Sequence, residues 1–195
     1  MMTNQNEKGF SLIELLMVIA LSSGIFYVLA RGLSIGTDQM NEASIRMNIQ
    51  ESAREGLYKM VQEIRQSSPS RITIGAGGNT LFFTVPNPNS PVAADYTINW
   101  AGGRVITYAM GAAGATATQI IRTDSSTPGQ TRVVANDVTG LQFVGNIAAP
   151  TLVTITVSVQ KELVGRGSMY NGTYVRKLVP NPPLQISAQA EVRNV

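Results

Sequence analysis

Polar residues open the chain, and at Phe10 it turns apolar and stays so to Ala30, broken only by Ser11, Glu14, Ser22, Ser23 and Gly24. As a helix this stretch is roughly 30 Å long, about the thickness of the hydrocarbon layer of a bilayer. Lys8 and Arg31 bound it on either side, so the distribution of positive charge does not orient it. From Leu33 to Ser67 there is no proline, and Ile45, Ile49, Ala53, Leu57, Met60 and Ile64 recur in steps of four and three, with Met40, Met47 and Val61 beside them. That spacing predicts one buried face of an amphipathic helix. Glu42, Arg46, Glu51, Arg54, Glu55, Lys59, Glu63 and Arg65 are expected on the opposite, solvated face, with Glu55 and Lys59 in the favourable i,i+4 order. A single helix from Phe10 to Ser67 would be on the order of 85 Å long. Gly24, Gly32 and Gly36 weaken its middle, and Ser67-Ser68-Pro69 ends it.

Beyond Pro69 the pattern becomes short β-rich runs separated by turn residues. Strands are expected at Arg71 to Ile74, Thr80 to Val85, Tyr96 to Trp100, Val105 to Met110, Gln119 to Arg122 and Arg132 to Val134. Three more follow at Leu141 to Val144, Leu152 to Gln160 and Leu184 to Val192. Alternation is clearest in TLVTITVSVQ, where Val153, Ile155, Val157 and Val159 form an apolar face opposite Leu152, Thr154, Thr156 and Ser158. Gly75 to Asn79, Ala101-Gly102-Gly103 and Thr127 to Gln130 have turn chemistry. The donor-poor segments VPNPNSP and VPNPPL read as loops.

Composition narrows the chemistry. With 195 residues the chain holds one cored domain plus an appendage. The 15 Lys and Arg against 12 Asp and Glu are scattered, which argues against a nucleic-acid role. Cys and His are both absent, so thiol catalysis, histidine acid/base chemistry and the common zinc sites are excluded. One residue is costly where it stands. A carboxylate at Glu14, inside a membrane span, loses a few kcal/mol of solvation and calls for a partner. An ordinary signal peptide cut after Val28-Leu29-Ala30, or a plain signal anchor, would also supply an apolar N-terminal run, but such regions rarely carry an acid.

The residues Lys8-Gly9-Phe10-Ser11-Leu12-Ile13-Glu14, with the polar leader before them and the apolar helix after, resemble the type IV prepilin and pseudopilin family. The resemblance implies cleavage by a prepilin peptidase between Gly9 and Phe10, methylation of the new N-terminal Phe10, and pairing of Glu14 with the N-terminal ammonium of a neighbouring subunit. Pairing the two buried charges would remove two desolvation penalties at once. On the residues alone, Glu14 could instead neutralise its own chain's terminus one helical turn away. RVVANDVTGLQF also resembles a segment of PilW-type minor pilins and J-type minor pseudopilins, although Val144-Gly145 follows here in place of an aromatic close.

These readings predict an α+β pilin fold, in which a long N-terminal helix packs its second half on an antiparallel β-sheet domain. The expected parts are a leader at 1–9, a membrane and assembly helix at 10–31, an amphipathic helix at 32–67 and a β-rich head at 68–195. The expected function is that of a structural minor pilin of a type IV pilus, with no catalytic residue, cofactor or metal. Its expected partners are other subunits met through the N-terminal helix, the prepilin peptidase and an inner-membrane assembly platform. Storage in the inner membrane as a single-pass protein would precede incorporation into a pilus or periplasmic pseudopilus. A minor pseudopilin of type II secretion and a pilus-borne adhesin are the alternatives. Within the head, Asp95, Asp124, Asp137 and Glu162 read as turn residues rather than ligands. Trp100 with Tyr96 and Tyr108 reads as core pairing rather than a stacking surface, and Lys161, Arg166, Arg176 and Lys177 as solvated charge rather than a basic patch.

Overall fold

In a computed structural model of the chain, residues 11–112, 114–127, 129–146, 148–163, 169–170, 173–174 and 177–192 are described. The proline-free N-terminal sequence forms one α-helix, α1 (Leu12–Ile64). The chain divides into two compact units, Met1–Ser44 and Ile45–Val195. Throughout the described part of the first unit, residues 11–44, none is buried.

In the second unit α1 buries Ile49, Ala53, Leu57, Met60 and Ile64 of the predicted face together with Gly56, while Ile45 and Val61 are half-buried and Met47, like Met40 in the first unit, is exposed. Five strands form an antiparallel meander in the order β1 (Ile72–Ile74), β2 (Thr80–Val85), β3 (Arg104–Met110), β4 (Ile120–Asp124), β5 (Thr131–Ala135). A second antiparallel sheet places β7 (Leu152–Leu163) between β6 (Val138–Gly145) and β10 (Lys177–Glu191). The short strands β8 (Met169–Tyr170) and β9 (Thr173–Tyr174) pair with each other. Leu81, Phe83, Ile106 and Tyr108 from the first sheet and Phe143, Val153, Ile155 and Val157 from the second join the helix residues in one apolar core. The alternation in β7 is as its sequence predicts, with Val153, Ile155, Val157 and Val159 all buried.

Two glycines set the closeness of this packing. A Cβ on Gly56 would lie 3.1 Å from the Ala135 Cβ and 3.2 Å from the Val134 carbonyl oxygen, so a bare backbone lets α1 approach β5. Gly78, at φ +72, turns the chain between β1 and β2 where a Cβ would meet the Phe143 carbonyl oxygen at 2.8 Å.

The structure departs from the sequence pattern in several places. The helix stops at Ile64 rather than Ser67, because the following N–H groups of Gln66 and Ser67 bond to carbonyls three residues back and Ser68, preceding proline, is extended. Tyr96 to Trp100 is not a strand. There Asp95 Oδ1 accepts the Thr97 N–H (3.1 Å) and hydroxyl (2.7 Å), Tyr96 takes a left-handed φ of 63, and a lone bridge joins Val92 to Ile98. VPNPPL lies inside β10, where the register shifts between Val179 and Leu184 because prolines cannot donate to the ladder. Gln160 Nε2 spans the break by donating to the Pro180 carbonyl at 2.8 Å. The β8–β9 pair forms from a sequence without alternating apolar residues.

Candidate functional site

The first turn of α1 places a carboxylate within an uncovered apolar surface. Ser11 O accepts the N–H groups of Glu14 (3.0 Å) and Leu15 (3.2 Å), which starts the helix and leaves Glu14 in its first turn. A negative charge is favoured there by the helix dipole. The Glu14 side chain is exposed, and so are Leu12 (78 %), Ile13, Leu15, Leu16, Met17 and the apolar residues that continue to Ile35. Ser23 and Thr37 turn their hydroxyls back onto the carbonyls of Ala20 (2.8 Å) and Ser34 (2.9 Å), which lowers the polarity presented by the helix. The helix is long and apolar enough to cross a membrane. Gly9 and Phe10 lie outside the described residues.

Residues 4–23, which contain Gly9, Phe10 and Glu14, match the family model described as the prokaryotic N-terminal methylation motif. This match supports a type IV pilin-like or pseudopilin-like protein. Its apolar helix fits a membrane-anchored chain that assembles as pilins do. No curated protein and no solved structure matches it.

The head carries a second constellation, which the helical pattern placed wrongly. Glu63 is expected on the solvated face of α1, yet it accepts the Tyr108 hydroxyl at 2.8 Å and both its oxygens lie 3.0 Å from Arg122 Nε. It lies three residues after the buried Met60, at the edge of the buried stripe, and that position was the available signal. Tyr108 and Arg122 are register partners on β3 and β4. Asp124 Oδ2 receives Arg104 (3.0 Å) and Arg122 (3.3 Å), while its Oδ1 accepts the Ser126 N–H (2.9 Å) and hydroxyl (2.7 Å). Burial raises the Tyr108 pKa above that of an ordinary phenol, and the Glu63 charge adds to the rise. Burial works in the same direction on Asp124, but the Ser126 bonds and the two guanidiniums outweigh it and hold the carboxyl below the usual aspartate range. This network ties the end of α1 to the sheet, and no group in it is free to act as a nucleophile or general base.

The remaining residues singled out from the sequence do not converge. Asp95 shapes its turn, and Asp137, at φ 57, pairs with Lys161 at 3.3 Å. Asp124 is both a turn residue and a buried ion-pair partner, and Glu162 lies in β7. Tyr108 stacks on Phe83 with ring centroids 6.1 Å apart, Tyr96 is 91 % exposed, and Trp100 lies under the Arg71 guanidinium at 4.5 Å. These rings form no common platform. Arg166 and Arg176 fall outside the described residues. Among the described residues no group of three potential metal ligands occurs.

Proposed function

We propose that this chain is a structural minor subunit of a type IV pilus. In this reading a prepilin peptidase removes the leader after Gly9, Phe10 becomes the methylated N-terminus, and residues 10–31 hold the subunit in the inner membrane until the assembly platform draws it into the fibre. Glu14 then pairs with the N-terminal ammonium of a neighbouring subunit. The carrying observation is the Glu14 carboxylate in the first turn of an exposed apolar helix, within the matched methylation motif. Lipid covers the apolar residues but leaves a buried carboxylate unpaired, whereas a neighbour's ammonium neutralises it. Kinship with PilW-type minor pilins belongs to the same proposal, resting on the RVVANDVTGLQF segment.

The test is mass spectrometry of the protein recovered from sheared surface fibres and, separately, from the membrane. The expected species in both begins at residue 10 and carries a methyl group on Phe10. A mature chain beginning at Arg31, or one absent from the fibres, would refute the reading.

A further inference from the structure

A cleft of about 560 Å³ opens between the residues that follow α1 and the connection from β2 to β3. That volume falls within the range of small-molecule sites. Val85, Pro86, Pro88, Pro91, Val92 and Ile98 supply apolar walls without an aromatic ring. The three prolines have no N–H to offer, and Asn87 commits its Nδ2 to the Ala101 carbonyl (3.0 Å) and its Oδ1 to the Asn89 N–H (3.0 Å). An extended peptide laid along these walls would leave its backbone carbonyls short of donors. An alkyl chain needs none.

The polar residues lining the cleft have donors left over. Arg104 and Arg122 balance Glu63 and Asp124 in the adjoining network, whereas Arg65 makes no ion pair among the described residues. Arg104 Nε and the Ser67 hydroxyl are closed to solvent and have no acceptor among the described residues, so the open cation at the cleft is Arg65. We infer that this cleft binds an aliphatic carboxylate. The alkyl chain lies against the proline, valine and isoleucine walls, and the carboxylate pairs with Arg65. The binding is non-covalent and does not depend on the pilus reading.

The experiment uses the full chain in lipid nanodiscs, photolabelled with a decanoate that carries a diazirine at its methyl end, with labelled peptides located by mass spectrometry. Label should enter residues 86–98, and excess decanoate should displace it while decanol and decylamine do not. Arg65→Gln alters an exposed side chain, so the fold is kept. It should cut labelling of residues 86–98 by about tenfold, the loss of one charge-assisted contact, and leave labelling of residues 12–31 unchanged. Val92→Glu, at a half-exposed position, brings a carboxylate to the walls and should have a similar effect. Label confined to residues 12–31, equal labelling of both variants and wild type, or equal displacement by decylamine would overturn the inference.

Discussion

Residues 12–44 and 45–64 belong to one helix and are both rich in apolar side chains, but those side chains meet different fates. In the first stretch the apolar residues go all around the helix and none is buried. In the second they keep to one stripe, and Met60 and Ile64 are fully buried. A stripe can be covered by one sheet-bearing core, so the second stretch completes its burial within its own chain. Side chains on every face need cover from every side, which only lipid or several neighbours supply. The acids differ in the same way. Glu63 finds Arg122 and Tyr108 within the chain, whereas Glu14 is exposed among apolar residues.

The sharpest way to break this comparison is at Glu14. Glu14→Ala should leave membrane insertion intact, because it makes the span more apolar, yet leave a neighbour's ammonium uncompensated at a penalty of about 3–5 kcal/mol in assembly. Crosslinking of the subunit into fibres at equal membrane abundance measures it, and wild-type crosslinking would show that the carboxylate serves only its own helix. Next is Met60→Ala, which should destabilise the head by about 2–5 kcal/mol through lost burial and the cavity left behind. The equivalent truncation Leu16→Ala should change head stability by no more than about 0.5 kcal/mol. Denaturation followed by the fluorescence of Trp100, the single tryptophan, compares the two, and equal losses would erase the distinction between the stretches.

Smaller effects test the Glu63 network. Glu63→Gln should cost about 1.5–3 kcal/mol, since it weakens hydrogen bonds that have a charged partner, while Lys59→Ala, in an exposed helical pair, should leave the denaturation midpoint unmoved. A pH series should show the slightest change. The Asp124 pKa is depressed in the folded state, so the unfolded chain binds the proton first on acidification; its contribution is complete above pH ~4–5 and is lost as pH falls below that. The Tyr108 pKa is raised, so the unfolded chain releases its proton first, and stability falls as pH rises past about 10. Asp124→Asn should flatten the acid limb and Tyr108→Phe the alkaline limb. Unchanged slopes would mean that neither group is held as the geometry indicates.

Periodicity alone determined much of this protein. The apolar run behind Gly9-Phe10, the acid within it, the four-and-three stripe on α1 and the alternation in β7 are properties of adjacent or regularly spaced residues, and helix and strand geometry converts them directly into faces. Tyr96 to Trp100 shows where that rule stops, since β-forming residues lost to a turn made by the Asp95 side chain. The prolines of 180–183 show the converse, for a break in the hydrogen-bond ladder did not end β10 while β7 continued beside it. Only the tertiary structure decided that Glu63 faces inward, that Arg104 and Arg122 share Asp124, and that the β2–β3 connection forms a cleft beside Arg65 and Ser67. Those pairings join residues up to 59 positions apart. A polar side chain beside a buried stripe can face water or a partner with the same local sequence, and the choice depends on which distant group the folded sheet brings within hydrogen-bonding distance.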